Sequence, residues 1–371
     1  MLVANRLKTS RFWMCYFFIR LFYLLFAVLI YARLTTLGDT EGYLTLTVPF
    51  SLRIFYDSTY FMFFIGGLIG IFFRQNMLLA NLPSMFISFF IIKWAIEKLA
   101  LRKHVNNTLL MIVISLPNFV IWTTIWSKEL FGLIYTAIIA VLVVNFLNRN
   151  YKIGIIDIFG FYLCLLFNPQ YLPFILQGLI FIYIAHNLFN HKPTGQIMLG
   201  VVFLFINVLF LYLIRDIVNM YAMGMHAHFE LGQAGATRDN IFLEDYDFFR
   251  YLPWGMFVGF FGPTISEMRE NPLHLIAGVE SLLKIILFIY LSKYVIIDCF
   301  LKWKSLTIIP ISYFFIFMGI LFIHYPFSIF NPGSAIRYRS RFIFLFIILL
   351  LYLYTKGKDY YLQRRRGYYK K

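Results

Sequence analysis

The chain has 371 residues, of which 61% are hydrophobic and 13% charged, yet it carries a formal net charge of +16 from 33 Lys and Arg against 17 Asp and Glu. Soluble domains hold about 45–50% apolar and about 25% charged residues. This chain therefore has too few polar side chains to coat a globule in water, which excludes a basic nucleic-acid binder, and its apolar content excludes disorder. The composition predicts an all-α polytopic membrane protein.

Arg6, Lys8 and Arg11 precede an apolar run from Phe12 to about Ala32, long enough to cross about 30 Å of hydrocarbon. No small-residue cleavage site follows, so the run is predicted as a first transmembrane helix with a cytoplasmic N-terminus. Further apolar segments lie near 60–73, 82–97, 105–125, 130–147, 153–167, 171–189, 196–214, 275–297, 307–327 and 341–355. Cys15, Cys164 and Cys299 sit in or beside these runs; their spacing fits no metal motif, and they are expected to be buried packing residues.

The connecting segments sort by charge. Lys98, Arg102, Lys103, Arg149, Lys152, Lys192, Lys302, Lys304 and the tail with Arg364, Arg365, Arg366, Lys370 and Lys371 form a basic set. The stretches 34–59, 127–129 and 215–274 hold twelve of the seventeen acids. The positive-inside rule places the first set in the cytoplasm and the second outside. One crossing must then be removed, because 60–73 and 82–97 both lie between an external and a cytoplasmic loop. The break at Arg74-Gln75-Asn76, with Pro83 beyond it, marks one of these pieces as re-entrant or interfacial. About ten crossings result, with both termini inside. No fixed-period repeat is present; the chain is expected to be one membrane domain, residues 1–371, with an external cap over 215–274.

Four external features carry chemistry. Asp39 and Glu41 stand just beyond the first helix in Gly38-Asp39-Thr40-Glu41-Gly42-Tyr43. A carboxylate at the membrane edge can deprotonate an acceptor hydroxyl, two can hold a divalent cation, and two can equally be solvated acids in a turn. Lys128 and Glu129 form a two-charge insertion between apolar helices, either a functional site or a loop whose charges pair in water. Arg337, Arg339 and Arg341 alternate around Tyr338 after Pro332-Gly333. In extended backbone the three would share a face, in a helix Arg337 and Arg341 would, and their guanidinium forks match phosphate oxygens. Arginines on the acidic side break the positive-inside rule, which points to an anionic substrate or to lipid headgroups. Within 215–274, His226, His228 and Glu230 lack a third ligand at a standard metal spacing, so no metal is expected. The acids and aromatics of Glu244–Arg250 suit stacking against a sugar or an ordinary capping loop. Glu280 in the 275–297 segment and Arg20 in the first helix are expected to be buried charges with partners. A Walker A loop, a dinucleotide fingerprint and a nucleophile elbow are all missing from the sequence, so neither ATP-driven transport nor redox catalysis has support.

In order along the chain these features are an acidic Gly-Asp-x-x-x-Tyr, a Lys-Glu turn after a helix with Pro117 and Trp122, a Gly262-Pro263 turn before a Glu-bearing helix, and a late Gly-Ser-x-x-Arg-Tyr-Arg loop. The set resembles the GT-C superfamily of integral-membrane glycosyltransferases, in particular the O-antigen polymerases and related transferases of bacterial surface-polysaccharide assembly. The resemblance implies a GT-C-like fold in the bacterial inner membrane with the active site facing the periplasm. It implies donor and acceptor glycans carried on undecaprenyl phosphate or diphosphate, with membrane lipids and a chain-length regulator protein as partners. Asp39, and less directly Glu41, would sit at the reaction centre. Arg337, Arg339, Arg341 and Lys128 would hold the donor phosphate. Tyr43, Glu129, His226, His228, Glu280 and Tyr338 would support the substrates, with no cofactor. A transferase of single sugars from a polyprenyl-phosphate donor, and a flippase for lipid-linked glycans, are the alternatives.

Overall fold

The computed structural model describes residues 2–190, 192–231, 238, 241–270, 272–301 and 307–365, excluding the side chains of 2–10, 228, 230, 231, 272, 273, 298–301 and 363–365. The described residues form helices and connecting turns, with no strand among them. Seven helices are long and apolar enough to cross a membrane: Arg11–Leu34, Met77–Lys98, Lys128–Leu147, Pro169–Leu188, Pro193–Leu213, His274–Ile297 and Ile308–Ser328. An eighth span arises if Asn107–Ile114 and Pro117–Thr124, bent by 59°, count as one. The sequence reads 105–125 as continuous; the break falls where Pro117, lacking an N–H, opens a new helix and disfavours helical backbone at Leu116. These apolar helices make the chain a polytopic membrane protein.

Where the sequence is read as one domain with a cap, backbone contacts divide the chain into two compact units. The first holds residues 1–142, 153–169 and 340–348; the second holds 143–152, 170–339 and 349–371. The region read as a cap lies wholly in the second unit.

In the first unit, Arg20 is fully buried in the opening helix. It donates to the Tyr16 hydroxyl at 2.9 Å, to the Ser88 hydroxyl and to the Thr123 hydroxyl at 3.1 Å. It is thus a buried charge with partners, as the sequence reading expects, and the partners are hydroxyls on its own helix and on two distant helical segments. The Ser88 and Thr123 bonds tie the first helix to two others, as polar groups do between membrane helices. Leu24, Ala27, Met85, Ile121, Trp122 and Ile125 pack beside this knot. Cys164 is buried as expected, but Cys15 is exposed; it lies on the face of the first helix that also exposes Met14, Phe18 and Phe22, and in a membrane protein such a face is covered by lipid. Cys299 has no described side chain.

The Ser58–Phe72 helix is held along its length by neighbours in this unit. Asp57 caps it by accepting the Thr59 and Tyr60 amides at 2.9 and 3.1 Å. Trp126 donates its indole N–H to the Met62 carbonyl at 3.2 Å. A Cβ on Gly66 would fall 2.5 Å from the Tyr43 carbonyl and one on Gly70 would overlap the Leu44 carbonyl. The absence of side chains at these two positions lets the short Thr40–Thr45 helix lie directly on Ser58–Phe72. The chain then reverses through Arg74 and Gln75, both at positive φ, before Met77–Lys98 begins. Pro83 is accommodated within the second turn of that helix and does not break it.

In the second unit, Arg238 is a strap. Its guanidinium pairs with both oxygens of Glu267, at 2.6 and 3.0 Å, and donates to the Ser328 and Ile329 carbonyls. Burial raises the Glu267 pKa, but Arg238 and the Thr264 amide outweigh it and hold the carboxyl below its ordinary 4.5. A carboxyl whose folded pKa is depressed adds stability above its unfolded pKa and loses it as pH falls through the folded value. Glu267→Gln is therefore expected to lower the thermal midpoint at neutral pH and to shrink the acid-side loss of stability below about pH 4.5. Equal acid sensitivity in both proteins would remove Glu267 from that role.

Candidate functional site

In the first unit the segments carrying the predicted acids, the Lys-Glu turn and the last arginine share one frame. Gly38, at φ 57°, turns the chain after the first span, a conformation that a side chain disfavours. Asp39 then stands at the N-cap of Thr40–Thr45, with its carboxylate exposed. The buried Tyr43, one turn on, donates to Asp39 Oδ2 at 3.4 Å, a long bond, and packs its ring edge-on to Phe63. Glu41 is exposed. The same Ser58–Phe72 helix that carries Phe63 presents Thr59, whose hydroxyl accepts from Lys128 Nζ at 2.8 Å. Lys128 is half-buried and opens the Lys128–Leu147 helix.

Glu129, the next residue, is completely buried and is gripped by Arg341: Nη2 lies 2.9 Å and Nε 3.2 Å from Oε1. Backbone contacts reinforce this pairing. The Thr136 hydroxyl donates to the Arg341 carbonyl at 3.1 Å, and a Cβ on Gly132 would lie 2.6 Å from Arg341 Cβ. Gly132 therefore admits the Arg341 backbone one turn beyond Glu129. In the same unit Tyr135 donates to Asn168 Oδ1 at 2.9 Å, which holds the buried Asn168 at the end of the Ile155–Phe167 helix. The arrangement is a buried ion pair that fixes a turn, a lysine held at that turn, and an exposed carboxylate on the adjoining loop.

The three late arginines have separate partners. Residues 332–339 form a helix, so the extended alternation does not occur. Arg341 belongs to the first unit and Arg337 and Arg339 to the second. The Arg337 guanidinium lies over the Tyr338 ring at 5.7 Å, and both side chains are half-buried. Arg339 is buried and donates Nη1 to the Phe260 and Gly262 carbonyls at 2.9 and 2.8 Å. Burial brings its pKa down to about 10, against the pull of Glu280, so it stays charged at neutral pH. Glu280 is also buried, and one turn on is Lys284, 3.5 Å from Glu280 Oε1. Sequence reasoning singles out Glu280 and misses Lys284, although an i,i+4 charge pair in an otherwise apolar span is a legible signal.

His226 sits beside the Phe330 ring, 6.2 Å between centroids, within an aromatic cluster that includes Phe229 and Phe242. The side chains of His228 and Glu230 lie outside the described residues. Among the described residues no group of three or more His, Cys, Asp or Glu side chains could hold a metal ion. In the acidic–aromatic stretch, Asp247 is buried and accepts the Leu243 and Glu244 amides at 3.1 Å, so it caps its own loop. Tyr246 instead lines an open groove of about 590 Å³ with Val208, Leu211, Tyr212, Arg215 and Phe249. Its hydroxyl donates to Asp216 at 2.6 Å and its amide to Asn219 at 2.7 Å.

No protein-family model matches the chain, and no curated protein or solved structure matches it.

Proposed function

We propose that the chain is a glycosyltransferase that polymerises undecaprenyl-linked oligosaccharide repeat units at the outer face of the bacterial inner membrane. The observation that carries this reading is the exposed Asp39 carboxylate, held on the frame that also binds Lys128 and the Glu129–Arg341 pair. Asp39 takes the proton of the acceptor hydroxyl as the glycosidic bond forms, and the carboxylate is accessible enough to do so. Lys128, half-buried and donating to the Thr59 hydroxyl, steadies the negative charge of the departing lipid phosphate. Glu129 and Arg341 fix the turn that carries it.

This reading sets about ten crossings, both termini cytoplasmic. The seven long spans and the bent pair are joined by the shorter Ile155–Phe167 and by the apolar start of the Ile343–Arg365 helix. Ser58–Phe72, lined throughout by Tyr43, Leu44, Trp126 and Lys128, is the interfacial piece on the outer side.

Purified protein in liposomes, supplied with a polyprenyl-diphosphate-linked repeat unit, is expected to yield glycans longer than one unit. Addition of one sugar only would replace polymerisation with single-sugar transfer. Movement of the intact lipid-linked glycan across the bilayer without any new glycosidic bond would overturn the transferase reading.

A further inference from the structure

The Pro193–Leu213 span of the second unit is apolar for 21 residues and carries no charge. The first charges beyond it are Arg215 and Asp216, which open the Arg215–Leu231 helix. That change marks the level at which hydrocarbon gives way to headgroups. The open groove of about 590 Å³ lies across this level. Val208, Leu211 and Tyr212 line it from the last turns of the span, Arg215 from just beyond, and Tyr246 and Phe249 from the start of the Asp247–Phe261 helix. Only 11% of the span's apolar stretch is buried, and Val208 and Tyr212 are exposed. The apolar end of the groove is therefore open to lipid.

The charges at its polar end form a pattern. Arg215 Nε lies 3.7 Å from Asp216 Oδ1, beyond hydrogen-bond range, so the two are neighbours that do not close on each other. The guanidinium sits 4.3 Å from the centre of the Tyr212 ring, over the end of the span. The Tyr246 hydroxyl donates to Asp216 Oδ1 at 2.6 Å and holds that carboxylate beside the groove. Asp245 accepts from Asn219 at 2.8 Å. Arg250 lies 3.9 Å from Glu244 and 3.8 Å from Asp247. Four carboxylates thus gather here against two guanidiniums, Arg215 and Arg250. An anionic headgroup would meet net repulsion. A headgroup that carries an ammonium beside its phosphate would not, and a primary ammonium has three N–H donors for a carboxylate.

We propose that this groove binds one phospholipid with a primary-ammonium headgroup, of the phosphatidylethanolamine type. The headgroup phosphate pairs with Arg215 and the ammonium with Asp216. The upper acyl segments lie along Val208, Leu211 and Phe249, and the rest of the tails stay in the bilayer. Tyr212 and Tyr246 supply the amphipathic rings that favour this depth. The site is built from the second unit alone and involves no reaction, so it stands apart from glycosyl transfer.

The test is thermal unfolding of the purified full chain in uncharged detergent. The midpoint is titrated with phosphatidylethanolamine, phosphatidylcholine and phosphatidylglycerol of the same acyl chains. Binding to the folded state raises the midpoint with lipid concentration. Phosphatidylethanolamine is expected to bind about two- to fivefold more tightly than phosphatidylcholine, the range for one exposed ion pair, and phosphatidylglycerol to bind weakest. Asp216→Asn should erase the difference between the first two. Val208→Trp, which fills the groove from its lipid-exposed side, should weaken the phosphatidylethanolamine response. Equal responses to phosphatidylethanolamine and phosphatidylcholine in the wild type, a strongest response to phosphatidylglycerol, or a preference that survives Asp216→Asn would overturn the site. An undiminished response in Val208→Trp would do the same, and keeps the test decisive if Asp216→Asn fails to fold. Light scattering on the same samples addresses the competing occupant, a second copy of the chain. A dimer that Val208→Trp dissociates, with no lipid preference in the wild type, would give the groove to that copy and overturn the lipid site. Loss of transfer activity alone bears on the reaction and leaves these outcomes untouched.

Discussion

Asp39→Asn is expected to reduce glycan transfer by about 10²–10⁴-fold, the range associated with losing a positioned general base, while the protein stays folded in the membrane. The substitution is conservative for structure. Asparagine serves an N-cap as well as aspartate does, and Asp39 makes no capping hydrogen bond to its own helix. The Tyr43 hydroxyl can still donate to the amide oxygen. What disappears is the ability to accept a proton. Transfer from a lipid-linked donor is measured alongside the thermal midpoint, with Glu41→Gln as the companion variant. A rate within tenfold of wild type in Asp39→Asn would remove it from the reaction centre, and a large loss in Glu41→Gln at an unchanged midpoint would move the role two residues on.

Glu129→Ala is expected to cost about 3–5 kcal/mol of stability, the range for removing one partner of a buried ion pair. The carboxylate is wholly buried, and Arg341 directs both Nε and Nη2 at one of its oxygens. Truncation leaves a guanidinium whose side chain is only 13% exposed without the carboxylate it grips. Replacing both residues by leucine should recover much of the loss, because paired apolar groups avoid the desolvation that ions suffer. Gly132→Ala should act in the same direction without touching a charge, since its methyl would press on Arg341 Cα and Cβ. Denaturant unfolding of the three variants checks the set. If Glu129→Ala and the double leucine variant lose the same amount, the ion pair is not what holds this turn. If the double variant regains stability but not transfer, the pair is needed for positioning Lys128.

Much of this was legible in the sequence. The spans stand out because runs such as those following Phe12 or Pro193 are too long and too apolar for anything else. The break between 58 and 98 is legible, but the close packing across it is not: the part played by Gly66 and Gly70 becomes visible only when Tyr43 and Leu44 lie against them. The arginine triplet was the least legible feature. Its spacing suggests one surface, whereas Arg341 turns to Glu129 and Arg339 to the backbone at Phe260 and Gly262. Local periodicity cannot foresee that, since each partner is far away along the chain. Arg20 shows a similar limit: its depth was evident, but hydroxyls on two distant segments satisfy it in place of an acid.

The first unit is completed by residues 340–348, which the ribosome delivers only after nearly all of the second unit. Glu129 and Arg341 are separated by 212 positions, about 10–40 s of elongation at about 5–20 residues per second. Throughout that interval Glu129 has been made but the guanidinium it ends up buried against has not. A nascent chain at that stage is a natural substrate for membrane chaperones and quality-control proteases. The Glu129–Arg341 contact therefore forms late in synthesis, once residues 340–348 have been made.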